Sequence, residues 1–205
     1  MKVIIALFLF LLLFTYQVEA ELLRVDDQGS EVYRIQRLLS FEGYFPDKDG
    51  VYGDLTFQAV KAFQAFQEIS VDGVIGPETR GAFKEIKRPK AIYQGDYIEI
   101  CLSRQILFYF SEGEIKLIAL ISSGREGRET PKGEYYVYRK LPGWWEVVWR
   151  GDWMYSSLYF YESYAIHGGF NVTGYPASLG CIRVDDKVAD FLMEKVKIGT
   201  KVIIY

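Results

Sequence analysis

The sequence predicts an α+β chain: an N-terminal three-helix bundle, then a mostly β unit (sandwich or mixed barrel) with one late helix. Three observations predict it. Apolar residues recur at helical spacing up to about residue 86. From Tyr97 on, apolar runs such as "YIEIC", "QILFYF" and "EIKLIALIS" read as strands. Helical spacing then returns once, after Asp186, before the closing run "KVIIY".

The first twenty residues stand apart. Lys2 gives a positive start, Val3 to Phe14 is apolar, and Val18-Glu19-Ala20 has the small-x-small form of a cleavage site. The apolar run is shorter than the roughly 20 residues a membrane helix needs. The expectation is a signal peptide over residues 1–20 and a secreted protein of the cell envelope (periplasm or cell wall). Membrane contact would come only through that segment, if it stays uncleaved. The whole chain has 205 residues, is 50% apolar and 17% aromatic, and carries a net charge of −3. That composition suits one or two domains with a real core, and its acidic balance gives no electrostatic footprint for nucleic acid.

Residues 21–87 read as the helical domain. Ser30 suits the cap of a helix whose apolar positions are Val32, Ile35, Leu38 and Leu39, ended by Gly43. A second helix follows Asp54, with Leu55, Ala59, Phe63 and Phe66 on one stripe. Gly76-Pro77 opens a third, carrying Thr79, Ala82, Phe83 and Ile86. "DGVYGDLTFQAVKAFQ" from Asp49 is echoed by "DGVIGPETRGAFKE" from Asp72, a turn-and-helix device used twice. The basic stretch 88–95, with Pro89, reads as a linker to 96–205. Within 96–205, "QILFYF", Glu112-Gly113 and "EIKLIALIS" form a hairpin pattern, and "GEYYVYR", "WEVVWR" and "YAIHG" add further strands.

The chemistry concentrates in "IHGGFNVTGYPASLGCIR", Ile166 to Arg183. It holds the only histidine, His167, and one of two cysteines, Cys181. An imidazole beside a thiol can take its proton and stabilise the thiolate. A glycine before the cysteine lets backbone N–H groups converge into an oxyanion hole, and Arg183 can clamp a carboxylate. From the residues alone a bland reading stays open: a Cys101–Cys181 disulfide, or two core residues in a glycine-rich loop. No Cys/His cluster has metal-ligand spacing and no glycine loop has the phosphate-cradling pattern. The four tryptophans, Trp144, Trp145, Trp149 and Trp153, could line a groove or pack the sheet.

The first segment resembles the three-helix peptidoglycan-binding domain of wall hydrolases, through Gln36, Gly43-Tyr44, Asp49-Gly50, Gly53, Thr56, Phe63-Gln64, Asp72-Gly73, Gly76 and Thr79. The second resembles the L,D-transpeptidase catalytic domain of the YkuD type. Its pattern of His-Gly, a spacer and Ser-His-Gly-Cys is met by "IHGGFNVTGYPASLGCIRV" except at Leu179, and its upstream marker by Thr130-Pro131-x-Gly133. The resemblance implies peptidoglycan as partner, no cofactor and no metal. It implies Cys181 as the acylated nucleophile, His167 as base, and the Gly168 carbonyl as the group that orients the imidazole. Backbone N–H groups of Gly180 and Cys181 would face the oxyanion. Arg183 and Ser178 would contact the donor peptide or support the loop, with Tyr155 near the donor stem. It implies transfer of the acyl group to an acceptor amine, giving a 3→3 cross-link. Two other outcomes are an L,D-carboxypeptidase using water, or a decayed wall-binding protein. Leu179 stands where the family usually has His, and Cys101 where it usually has an aliphatic residue. With its own caps and apolar stripes, the helical unit is expected to fold alone and to tether the catalytic unit, which should keep its activity on soluble substrate when cut near Lys90.

Overall fold

The computed structural model describes residues 22–147 and 152–205. The expected signal segment, 1–20, and Trp149 lie outside them. The described residues contain α1 (Ser30–Phe41), α2 (Asp54–Gln67) and α3 (Pro77–Ala82), then β1 (Tyr97–Cys101), β2 (Ile106–Ser111), β3 (Glu114–Leu120), β4 (Gly133–Tyr136), β5 (Arg139–Val147), β6 (Asp152–Tyr161), β7 (Tyr164–Gly168), β8 (Ile182–Val184), α4 (Asp186–Lys195) and β9 (Lys201–Ile204). The strands form two sheets, ordered β3-β2-β1-β9-β4 and β5-β6-β7-β8. The class is mixed α+β with a late helix. Of the four helices α3 has only six residues, so the early helices are a pair with a short third rather than three equal members. Among the described residues no helix is long and apolar enough to cross a membrane.

The start of α1 differs from expectation. Ser30 is the first helical residue, and Gly29 holds the capping position with no side-chain cap. Gly29 has φ +131 and donates its N–H to the Gly50 carbonyl at 2.9 Å. That backbone conformation suits glycine, so the chain turns into the helix one residue early. α3 also stops at Ala82, and Phe83 lies just beyond it, packed on Phe63 with ring centroids 4.5 Å apart.

The sequence echo has a physical basis. In the first copy buried Gln36 donates through Nε2 to Asp49 Oδ1, the Val51 carbonyl and Thr56 Oγ1, and accepts from Gly50 N–H. In the second, buried Gln64 makes the same four bonds to Asp72 Oδ1, the Val74 carbonyl, Thr79 Oγ1 and Gly73 N–H. Each glutamine thus ties a helix to the Asp-Gly turn and to the threonine of the next helix. A buried donor or acceptor left unmet costs about 1–3 kcal/mol. Gln64→Leu is therefore expected to destabilise the chain by at least about 2 kcal/mol. The check is a lower denaturant midpoint with an unchanged slope; a midpoint equal to wild type would remove the glutamine from the account.

Strands β1 and β2 of the five-stranded sheet are buried on both faces, which explains why "ILFYF" shows no polar alternation. Ile98, Ile100, Leu107, Tyr109, Leu117 and Ala119 face the core shared with the second sheet and α4. Tyr97, Cys101, Ile106, Phe108, Phe110, Ile118 and Leu120 face the other way, into a single core with Val32, Leu39, Val60 and Phe63 of the helical segment. The seam is also bonded. Ile118 N–H donates to the Gly43 carbonyl at 2.7 Å, Lys187 pairs with Asp47 at 2.7 Å, and Arg104 pairs with Glu68. The helical segment is thus docked as a layer of the fold and contributes half of one core.

Candidate active site

β7 and β8 run parallel, with His167 opposite Arg183 and Ile166 opposite Ile182. Side chains alternate along strands. Ile166, Ile182 and Val184 fill the core, so His167, Cys181 and Arg183 share the opposite face. Cys181 immediately precedes β8, one strand across and two residues back from His167. Arg183 also comes close: the aliphatic part of its side chain and His167 Nδ1 both lie within 4 Å of where a Cβ on Gly169 would stand.

His167 is buried, and its Nδ1 lies 2.7 Å from the Gly168 carbonyl. A carbonyl only accepts, so Nδ1 carries the proton and the neutral ring keeps its lone pair on Nε2. That is the tautomer a base requires. Gly168 has no room for a side chain, since a Cβ would stand 2.6 Å from Asp186 Oδ1 and 2.9 Å from Tyr155. Tyr155 is opposite Gly168 in the sheet and donates its hydroxyl to Asp190 at 3.0 Å, which holds it to α4. Trp144 packs on Tyr155 and stacks on the exposed Phe170, so this tryptophan sits on an aromatic shelf beside the His167 strand. Arg183 makes one long contact, Nη1 to the Asn171 carbonyl at 3.5 Å.

The loop before the cysteine corrects one expectation. The Gly180 N–H does not face an open oxyanion position. It donates to Ser178 Oγ at 3.0 Å, and that hydroxyl donates to the Cys181 carbonyl at 2.6 Å. Ser178 is buried, so it supports the loop from inside rather than offering its hydroxyl to a ligand. Gly180 is needed for its shape: φ is +122, and a Cβ would fall 2.8 Å from the Tyr164 ring. The Thr130 hydroxyl, which donates to the Gly180 carbonyl at 2.7 Å and accepts from Gly124 N–H at 2.9 Å, locks the turn from the other side.

Both cysteines are thiols, so the disulfide reading does not hold. Cys101 is buried and lies 3.4 Å from Ser103 Oγ. Cys181 is partly exposed and opens onto a cleft of about 250 Å³ lined by Gly127, Arg128, Ser163, Tyr164 and Leu179, among others. Its sulfur lies 3.7 Å from the Ser163 carbonyl. Burial, and then the negative charge of a Cys181 thiolate, push the Tyr159 phenol up from its ordinary value. Leu179 is 37% exposed and forms part of the cleft wall. A larger open groove of about 580 Å³, between α1 and residues 83–88, includes none of these residues. Among the described residues no three His, Cys, Asp or Glu side chains gather as a metal site requires. Sequence reasoning missed Tyr159, Tyr164 and Ser163, whose only signal is their place on β6, on β7 and in the turn between them.

Comparison with known proteins bears on the family and the fold. Residues 95–204 match the L,D-transpeptidase catalytic domain, and residues 28–83 match the peptidoglycan binding domain. The chain is 35% identical to a crystallised L,D-transpeptidase fragment from Xylanimonas cellulosilytica, with TM-score 0.83, covering 90% of this chain and 98% of that one. A Stackebrandtia nassauensis L,D-transpeptidase shares the fold at 18% identity and TM-score 0.54, over 89% of this chain and 97% of that one. Among curated relatives, the N-acetylmuramoyl-L-alanine amidase CwlL of Bacillus licheniformis is 35% identical over 35% of this chain, and the spore cortex-lytic enzyme of Halalkalibacterium halodurans 28% over 61%. The matches span 21% and 39% of those two proteins' own lengths.

Proposed function

The chain belongs to the L,D-transpeptidase catalytic-domain family and carries a peptidoglycan-binding domain ahead of that domain, and from that premise we propose that it is a cysteine-dependent acyltransferase acting on cell-wall peptide stems. The observation that carries the reading is Cys181 at the mouth of a cleft, on the same sheet face as a histidine whose protonated nitrogen is fixed by Gly168. His167 Nε2 takes the thiol proton. The sulfur adds to the carbonyl of the third residue of a tetrapeptide stem, and the oxyanion forms beside the backbone of the cysteine loop. The tetrahedral intermediate collapses as the imidazolium returns its proton to the leaving amine of the terminal D-alanine. A side-chain amine of a second stem then attacks the thioester, His167 takes its proton, and the thiol is restored. The product is a 3→3 cross-link. Arg183 offers a guanidinium for a stem carboxylate, and Tyr155 borders the path of the donor.

The chemistry needs no cofactor in this reading. The relatives named as an amidase and a cortex-lytic enzyme support peptidoglycan as the partner. Residues 1–20 support export to the envelope, with 21–87 as the wall-binding part, 88–95 as connector and 96–205 as the catalytic part. Incubation with a disaccharide tetrapeptide, followed by product analysis, tests the reading. Cross-linked dimers and released D-alanine are expected. Tripeptide without dimers would instead assign a carboxypeptidase, with water taking the place of the amine.

Leu179 favours one rival, a decayed enzyme, because it lines the cleft and cannot carry a proton. With His167 supplying all the proton chemistry, Leu179→His is expected to change kcat/KM by less than about tenfold, roughly 1.4 kcal/mol. Steady-state kinetics on the tetrapeptide is the check. A gain of about a hundredfold, roughly 2.7 kcal/mol of barrier, would mark the native site as impaired.

A further inference from the structure

α2 reaches the catalytic loop through one side chain. Lys61, half-buried on α2, donates from Nζ to the Thr173 carbonyl at 2.8 Å. Thr173 belongs to the segment between β7 and β8, which joins His167 to Cys181. Its neighbour Val172 packs into the core shared by the helices and the five-stranded sheet. The approach is close: a Cβ on Gly174, whose φ is +76, would stand 3.3 Å from Lys61 Nζ and 3.2 Å from Leu120. Burial lowers the Lys61 pKa, the mark of an ammonium drawn out of water.

The contact continues inward. Thr173 N–H donates to Ser122 Oγ at 2.8 Å, and the two hydroxyls share a further bond of 2.8 Å. Thr173 Oγ1 donates to the Tyr175 carbonyl at 2.9 Å, which folds the loop back on itself. Ser122 is fully buried, and its backbone exchanges both hydrogen bonds with Arg183, at 2.9 and 3.0 Å. Arg183 lies two residues beyond the nucleophile. An unbroken series of bonds therefore runs from a helix of the wall-binding part, through Lys61, Thr173 and Ser122, to the strand that follows Cys181. An ammonium-to-carbonyl bond is charge-assisted and about twice as strong as a neutral one, so it can hold a loop in which only Ser178 is buried.

We propose that Lys61 is a positioning residue for catalysis, holding the 169–178 loop and the Arg183 strand in register with Cys181. The proposal rests on the transpeptidase reading of the site and adds that the helical layer sets the geometry of the reaction as well as the location of the enzyme. A loop released from Lys61 would let the Ser122–Arg183 pairing breathe, and a displacement of about 1 Å at reacting groups can cost about a hundredfold in rate.

The full chain is compared with Lys61→Met, Lys61→Arg and Ser122→Ala, by kinetics on soluble tetrapeptide and by amide hydrogen exchange. In Lys61→Met the Thr173 and Arg183 amides are expected to exchange roughly tenfold faster or more. Its kcat should fall by roughly tenfold or more while KM changes less, because the loss is of alignment rather than of binding. Lys61→Arg, which can still donate to the carbonyl, should recover most of both. Ser122→Ala cuts the next link, changes little volume and should move in the same direction, which covers the case where Lys61→Met does not fold. Unchanged exchange at Thr173 overturns the proposal whatever the kinetics show. Faster exchange with unchanged kcat, or a Lys61→Arg as poor as Lys61→Met, also overturns it and leaves Lys61 as a seam contact. If the wild-type chain itself does not turn over the tetrapeptide, the transpeptidase reading falls, and the exchange data separately decide whether Lys61 holds the loop.

Discussion

Cys181→Ala is expected to lower turnover of a tetrapeptide stem by at least about a thousandfold, roughly 4 kcal/mol of barrier, while Cys101→Ala keeps at least about half of it. The two thiols differ in everything that matters for a nucleophile. Cys181 opens onto a cleft, follows a glycine turn locked by Ser178 and Thr130, and shares a sheet face with His167. Cys101 ends a buried strand, and its side chain joins the core between sheet and helices. Removing one sulfur there leaves a small gap, which costs stability before it costs chemistry. Turnover of the two variants, with a map of iodoacetamide-labelled peptides, is the measurement. Labelling of wild type should fall on Cys181 first, and His167→Ala should slow it near neutral pH, because the thiolate loses its partner. Equal loss of turnover in both variants would remove the distinction between the cysteines on which the site is built.

A chain starting at Lys90 is expected to fold poorly, aggregate, and lose activity even on soluble substrate. This reverses what the sequence suggests, namely an autonomous module on a short tether. The reason is the seam. Truncation bares Phe108, Phe110, Ile106, Ile118, Leu120 and Tyr97 on one face of the central sheet. Each large apolar side chain moved from core to water costs about 1.5–3 kcal/mol. Four of them fully exposed already match the roughly 5–15 kcal/mol that holds a domain folded. The cut also removes Lys61 from Thr173, Asp47 from Lys187 and the Gly43 carbonyl from Ile118. Circular dichroism melting and size-exclusion chromatography of the truncated and full chains decide the matter. A truncated chain that is monomeric, melts cooperatively near the full chain and turns over soluble substrate would show that the helical layer is dispensable.

The order of elements was legible because local signals agree with the fold. The helical stripes of α1 and α2 are buried except at Leu38 and Phe66, which are half-buried, Pro77 opens α3, and the hairpin of β2 and β3 turns at Glu112-Gly113 as its positive-φ residues require. What the sequence could not carry is contact between distant segments. "ILFYF" is apolar throughout, but nothing local says that its second face is covered by helices some fifty residues upstream. The linker 88–95 looks like a tether by composition, yet it bridges two halves of one core. In the site, residue types and the family pattern single out His167, Gly168 and Cys181, and the fold sets them on β7 and at the residue before β8. The Gly180 N–H was misassigned because the nearest hydroxyl, Ser178, reaches it first, a matter of rotamer and turn shape. Thr173 stands 112 residues from Lys61 and 51 from Ser122 along the chain, and no local pattern marks them.

The central claim is a covalent intermediate on Cys181, and intact-protein mass spectrometry tests it most directly. The full chain is mixed with a disaccharide tetrapeptide in the absence of an acceptor amine, quenched in acid within seconds, weighed and digested. The account predicts a mass increase equal to the stem minus its terminal D-alanine, mapped to the peptide that contains Cys181, absent in Cys181→Ala, and lost again when an acceptor amine is added before the quench. A chain that releases D-alanine with no adduct at any quench time, or an adduct that persists in Cys181→Ala, would contradict it.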